Sequence, residues 1–189
     1  MKKEILIAGF GGQGILLMGR LLAEASMNDG YHATWFPSYG PEMRGGTANC
    51  TTIFSDEEIG SPIAATYDVA IAMNQPSLER FGPLVRPGGV LLVNSSMIPV
   101  KSDRRDIQLV DVPTLEIAGR IGQERVANVV MLGAFLAVYS MPTEAACHRA
   151  VESLIGKKKP QLVQTNILAL QAGREAAEAQ LHRECLAAS

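Results

Sequence analysis

Cysteine and histidine are scarce, with three of each in 189 residues. Cys50, Cys147 and Cys185 lie far apart, whereas a cysteine-ligated iron–sulfur cluster takes four thiolates, at least some of them closely spaced. The chain by itself is therefore expected to carry neither a cluster nor a disulfide framework. His32, His148 and His182 have no second histidine or cysteine at zinc-site spacing, so they read as surface or half-buried residues and no metal is expected. A basic excess is missing as well: the net charge is −2, and the 17 basic residues are scattered apart from Lys157-Lys158-Lys159. That distribution excludes the electrostatic footprint of a nucleic-acid binder. The most apolar stretch, "VANVVMLGAFLAVYSM" from Val126 to Met141, falls short of the roughly 20 residues a membrane span needs and reads as a buried helix. Ile5 to Ala8 is too short for a signal-peptide core, and a cytoplasmic protein is expected. Internal repeats, low-complexity tracts, a nucleophile triad and an acid/base pair are all absent from the sequence.

What is present is an alternation of apolar runs and helical periodicity, and the 47% hydrophobic content supports one core over residues 1–189 as a single domain. Residues 4–8 read as a strand buried on both faces. "ILLMGRLLAEASMNDG" has helical spacing through Ile15, Met18, Leu22 and Ala25 and stops at Gly30. Further strands are predicted at 32–36, 47–54, 67–73, 88–95 and 107–113, with a short helix over 75–85 that Pro87-Gly88-Gly89 ends. From Pro113 the pattern turns helical: 114–121, 125–140, a helix over 144–155 capped by Thr143, and a last one from about Pro160 with Val163, Ile167, Leu170, Ala177 and Leu181 on one stripe. The fold expected is α/β: a Rossmann-like open sheet, mostly parallel, covered by helices and followed by a helical C-terminal portion.

Two loops carry the chemistry. "GFGGQGI" places Gly9, Gly11 and Gly14 in G-x-G-x-x-G spacing between a strand and a helix, where backbone amides and the helix dipole favour an anion. The same glycines equally serve a tight turn that binds nothing. A dinucleotide site also wants an acid about 20 residues on, and "HATWFPS" has none, which counts against NAD. The second loop, "PSYGPEMRGGTANC", should leave the carboxyl end of a strand, the edge at which open α/β sheets bind ligands. There Arg44 offers a forked guanidinium, Tyr39 an aromatic face with a hydroxyl, and Gly45 and Gly46 a flexible approach; an Arg44–Glu42 surface pair is the bland alternative. Asn128, inside the apolar helix, needs a hydrogen-bond partner and is read as a structural tie to a loop near the glycine turn. Asn74, Gln75 and Ser77 read first as capping residues.

Taken together, "ILIAGFGGQGI", "PSYGPEMRGGTANC", "NQPSLERF" and "RVANVVMLGAFLA" resemble the gamma subunit of the 2-oxoacid:ferredoxin oxidoreductases over nearly the whole chain, with the 2-oxoglutarate or 2-oxoisovalerate branch favoured. The resemblance implies a noncatalytic piece of an enzyme that oxidatively decarboxylates a 2-oxoacid to an acyl-coenzyme A and reduces ferredoxin. It implies partners, the alpha and beta subunits, with a ferredoxin-like delta subunit as a further candidate. It implies that thiamine diphosphate, magnesium and the iron–sulfur clusters belong to the complex rather than to this chain, which is expected to be inactive alone and to pair with itself when isolated. Coenzyme A, with a pyrophosphate and a ribose phosphate, is the ligand expected at Gly9, Gly11, Gly12, Gln13, Gly14, Tyr39, Arg44, Gly45 and Gly46. Two other classes stay open on the residues: a free-standing NAD- or FAD-linked oxidoreductase, and a small-molecule-binding regulatory module.

Overall fold

The computed structural model describes residues 1–39 and 46–187, so Glu42, Arg44 and Gly45 lie outside the described residues. A six-stranded sheet is built from β1 (Lys2–Phe10), β2 (His32–Tyr39), β3 (Thr47–Ser55), β4 (Tyr67–Ala72), β5 (Val85–Asn94) and β6 (Gln108–Val112) in the spatial order β2-β3-β1-β4-β5-β6. β1, β4, β5 and β6 are parallel. β3 is antiparallel to both β1 and β2, so β2 runs with the parallel set and β3 alone opposes it among these strands. Ile5, Leu6, Ile7 and Ala8 are all buried, as a central strand covered on both faces requires.

Among the described residues six α-helices accompany the sheet: α1 (Ile15–Asn28), α2 (Gln75–Phe81), α3 (Thr114–Ile121), α4 (Ala127–Val138), α5 (Glu144–Val151) and α6 (Val163–Ala187). The main core joins Ile5, Ile7, Phe54, Ile71, Leu92 and Val110 of the sheet to α1, α4, α5 and α6. A smaller one on the opposite face gathers Ala70, Ala72, Leu91 and Val93 under Leu78 of α2 and Ile98. α4 is apolar all round and buried from Ala127 to Leu136, because it lies between the sheet side and α6. Its contact with α6 is close enough to exclude side chains: a Cβ on Gly133 would fall 2.0 Å from the Leu170 carbonyl oxygen, and one on Gly173 1.8 Å from that of Val130.

The helix predicted over 75–85 is shorter. α2 ends at Phe81, a 3₁₀ turn occupies Gly82–Leu84, and β5 begins at Val85. Val85, buried, already pairs with Tyr67; the ladder then resumes at Val90 opposite Val69. Pro87, Gly88 and Gly89 thus form a bulge inside β5 rather than a helix stop, with Gly88 at φ +77° and its N–H donating to the Asp106 carbonyl. The helix predicted over 144–155 becomes α5 followed by a π-helical turn at Glu152–Gly156, and Thr143 caps α5 by accepting from the Ala146 N–H at 3.2 Å. At the amino edge of the sheet, Arg86 bridges buried Glu4 and Asp68, and Lys2 pairs with the same glutamate.

Candidate functional site

β1 delivers the glycine loop to the carboxyl edge of the sheet, and the β2–β3 hairpin delivers the second loop to the same edge, because Phe10 at the end of β1 pairs with Thr47 at the start of β3. The two loops are joined directly: the Gly11 N–H donates to the Gly46 carbonyl at 2.9 Å. Gly12 is at φ +103° and Gly14 at φ +75°, conformations that favour glycine. A Cβ on Gly12 would meet nothing within 4 Å, whereas one on Gly14 would meet Asn128 Nδ2 at 2.4 Å and one on Gly9 would meet Gln13 Oε1 and Ile15 at 2.6 Å. Gly12 therefore marks the open side of the loop and Gly9 and Gly14 its packed side.

Of the Gly11, Gly12 and Gln13 amides, two are engaged within the protein. Gly11 donates to Gly46, and the Gln13 N–H donates to the Phe10 carbonyl at 3.1 Å; the Gly12 N–H has no acceptor among the described residues. Outward donors remain at Gly12 and in the first turn of α1, where amides have no intrahelical partner. Tyr39 ends β2 opposite Ala48.

The Gln13 side chain turns inward. Its Oε1 accepts from the Phe10 N–H at 2.6 Å and from Asn74 Nδ2 at 3.3 Å, and its Nε2 donates to the Met73 carbonyl at 3.2 Å. It therefore spans the crevice between the carboxyl ends of β1 and β4, the switch point at which doubly wound folds bind nucleotides. Behind it, Asn94 donates to the same Met73 carbonyl at 3.3 Å and accepts from the Thr114 hydroxyl at 2.7 Å. Asn74 caps α2 by accepting from the Ser77 N–H at 2.9 Å, as its sequence position suggests. Asn128 Nδ2 donates to the Gly14 carbonyl at 3.2 Å, so the buried amide of α4 is tied to the glycine turn as expected.

Two cavities flank the loop. One of about 300 Å³ lies on the β3 side, against Phe10, Gly11, Gly12, Ile15, Leu16 and Ala48. The other, about 330 Å³, lies on the β5 side against Gln13, Asn94, Met97, Leu115, Arg125 and Asn128. Sequence reasoning missed Asn94, Thr114, Met97 and Arg125. The available signal for Asn94 was an amide ending the buried run "VLLVN"; Arg125 gave none, since it joins the site only through the packing of α4.

The topology also accounts for the absent ribose acid. In a dinucleotide fold the second strand lies beside the first, but here β3 intervenes. With strands about 4.8 Å apart, the end of β2 is displaced by about 10 Å from the glycine loop. Among the described residues no group of three or more His, Cys, Asp or Glu is placed to hold a metal ion, and no helix is long and apolar enough to cross a membrane.

Fold and site together define an open-sheet α/β chain with a glycine loop packed at Gly9 and Gly14 and open at Gly12. The chain belongs to the pyruvate ferredoxin/flavodoxin oxidoreductase family, whose model matches residues 4–176. It is 39% identical over 181 residues to the ketoisovalerate oxidoreductase subunit VorA of Methanothermobacter thermautotrophicus, covering 96% of this chain and 38% of that one. It is 36% identical to the 2-oxoglutarate synthase subunit KorC of Methanothermobacter marburgensis, covering 93% of this chain and 96% of that one. The chain thus spans about two fifths of the length of VorA and nearly the whole of KorC. Among solved structures, the gamma subunit of a keto/oxoacid ferredoxin oxidoreductase from Geobacter sulfurreducens superposes with a TM-score of 0.81 at 34% identity, covering 94% of this chain and 99% of that one. The same fold occurs, at 24% identity and a TM-score of 0.85 over 94% of this chain and 31% of the other, in the 2-oxoglutarate:ferredoxin oxidoreductase of Magnetococcus marinus, described with 2-oxoglutarate, coenzyme A and succinyl-CoA bound.

Proposed function

We propose that this chain is the gamma component of a multisubunit 2-oxoacid:ferredoxin oxidoreductase, acting on 2-oxoglutarate or 2-oxoisovalerate, and that it supplies no reacting group. Its glycine loop and its "SYGPEMRGG" loop form a backbone edge that meets coenzyme A and the alpha and beta subunits, beside the thiamine diphosphate they hold. Among the described residues no group of three or more His, Cys, Asp or Glu is placed to hold a metal ion, and the reading assigns the clusters and the magnesium to the partner subunits. When bound, coenzyme A supplies the thiol that accepts the acyl group; this chain orients its anionic end through the Gly12 amide and Arg44. The observation that carries the reading is the Gly11–Gly46 hydrogen bond, which ties the glycine loop to the residue just before β3, while Gly12 borders open space. A nicotinamide or flavin enzyme is disfavoured by the same geometry, since Gln13 bridges the ends of β1 and β4 across the dinucleotide crevice.

The test compares Gly12→Asp with Gly12→Asn in the complex assembled with its partner subunits. Both substitutions carry the same backbone strain at φ +103°, a cost of about 1–2 kcal/mol, and differ only in charge. Asp is expected to raise the coenzyme A concentration for half-maximal rate about tenfold over Asn, equivalent to roughly 1.4 kcal/mol. Arg44→Ala should act in the same direction, by roughly tenfold or more. Identical coenzyme A dependence of the Asp and Asn variants would make the loops packing or interface elements and leave the assembly role without the ligand role.

A further inference from the structure

On the far side of Asn128 from the glycine loop lies a groove of about 300 Å³ that the proposed coenzyme A edge does not use. Four pieces of chain converge on it: Leu17 of α1, Arg125 and Val126 before α4, Leu154 and Ile155 of the π-helical turn, and the segment from Lys158 to Asn166 that opens α6. Its floor is apolar and incompletely covered, with Leu17 37% exposed. Its rim is cationic: Arg125, Lys158 and Lys159 are exposed and make no ion pair among the described residues, while the groove lining contains no Asp or Glu. The lysines stand on ordered backbone, since the N–H groups of Lys158 and Lys159 both donate to the Ile155 carbonyl, at 3.1 and 2.8 Å. A π-helical turn is rare and concentrates at functional positions; here it sets Leu154 and Ile155 on the floor just before the two lysines on the rim.

We propose that this groove docks an acidic, apolar-anchored peptide segment of a partner subunit, with a bulky aliphatic or aromatic side chain on the Leu17–Leu154–Ile155 floor and carboxylates against Arg125, Lys158 and Lys159. A small anion would need free convergent donors at the floor; besides its apolar residues the lining holds Gln123, Asn128 and Asn166, and the Asn128 and Asn166 amides already donate to the Gly14 and Leu162 carbonyls. A nucleic acid would need a longer basic stripe, and the chain carries a net charge of −2. Charge complementarity around an apolar anchor is the arrangement of a protein contact that gains speed and specificity from its rim. The proposal rests on the chain being one component of a multisubunit enzyme.

The experiment measures association of the chain with its co-produced partner subunits for wild type and for the double variant Lys158→Glu/Lys159→Glu. The variant is expected to keep its melting temperature and to associate about tenfold more weakly at low salt, the difference closing near 0.5 M salt as screening shortens the Debye length. In parallel, Ile155→p-benzoylphenylalanine should photo-crosslink to a partner segment carrying Asp or Glu beside an apolar residue. Unchanged association of the variant, or a crosslinked segment without carboxylates, overturns the proposal and leaves the coenzyme A reading intact. Binding of a labelled oligonucleotide by wild type and not by the variant assigns the rim to a polyanion and overturns it as well. Failure of the wild-type chain to assemble at all removes the proposed function and this proposal together.

Discussion

Gly133→Ala should destabilise the protein although alanine is the better helix former. The added methyl would lie 2.0 Å from the Leu170 carbonyl oxygen, a backbone atom that no rotamer change can move aside. Restoring ordinary contact requires α4 and α6 to part by about 1 Å, and a gap of that size forfeits a quarter to a half of the dispersion energy along their contact. Overpacking of this kind costs about 1–3 kcal/mol or more, set against about 1 kcal/mol regained in helix propensity. A net loss of about 1–2 kcal/mol is expected, which lowers the melting temperature by about 2–8 °C for a chain of this size. Gly173→Ala meets the Val130 carbonyl in the same way, and one separation of the helices relieves both clashes. The double variant should therefore lose less than the sum of the singles. Gly119→Ala is the internal control: it lies in α3 with open space around its missing Cβ, and alanine there should raise stability by up to about 1 kcal/mol. Chemical denaturation of the four variants beside wild type reads all of this. A Gly133→Ala protein as stable as wild type, or strict additivity in the double variant, refutes the close-contact reasoning.

Three further outcomes are expected. Burial pushes the Glu4 carboxyl up, but hydrogen bonds and charges from Lys2 and Arg86 outweigh it and hold the group below the ordinary glutamate range. Its stabilising contribution is thus complete above about pH 4.3 and lost as pH falls through the lowered folded-state value; Glu4→Gln should flatten that acid limb in pH-dependent melts, and an unchanged limb would sink the assignment. Burial pushes the Cys50 and Cys147 thiols up to about 12, while Cys185 is exposed, so a thiol reagent at pH 8 should modify one cysteine rapidly in the native protein and three after denaturation. The isolated chain, with Phe36, Leu17 and Leu115 left open to solvent, should self-associate into a dimer; light scattering that shows a monomer at high concentration counts against this.

The sheet was legible because buried parallel strands write themselves as uninterrupted apolar runs, and "EILIA", "VAIAM" and "VLLVN" each became a strand of the parallel set. The hairpin was legible as two strands but not as a hairpin. Nothing local in "HATWF" or "TANCTTIF" says that the second will insert between the first and β1; pairing partners are a property of the whole sheet. The start of β5 was misplaced for a related reason: Pro87-Gly88-Gly89 is helix-stop chemistry locally, yet the pairing of Val85 with Tyr67 absorbs it as a bulge. At the site, the tight turn of the glycines, the tie made by Asn128 and the cap made by Asn74 were legible through residue type and spacing. The inward turn of Gln13 was not, since a flexible amide takes its direction from the Met73 carbonyl, just beyond β4 and 60 residues away in sequence. The glycines of α4 and α6 were silent too, because close helix approach needs both partners and each alone looks like a mild helix defect.

The inward Gln13 changes what a glycine fingerprint reports. The pattern describes a corner that the backbone can turn tightly, and it is indifferent to whether a pyrophosphate or a side chain fills the space the corner encloses. In this topology the residue between Gly12 and Gly14 decides between the two, and a side chain long enough to bridge from the end of β1 to the end of β4 makes the protein its own crevice ligand. Shortening that one side chain would leave the Phe10 amide without its acceptor and the Met73 carbonyl with Asn94 alone, and a solvent-sized vacancy would open where a dinucleotide fold keeps its cofactor.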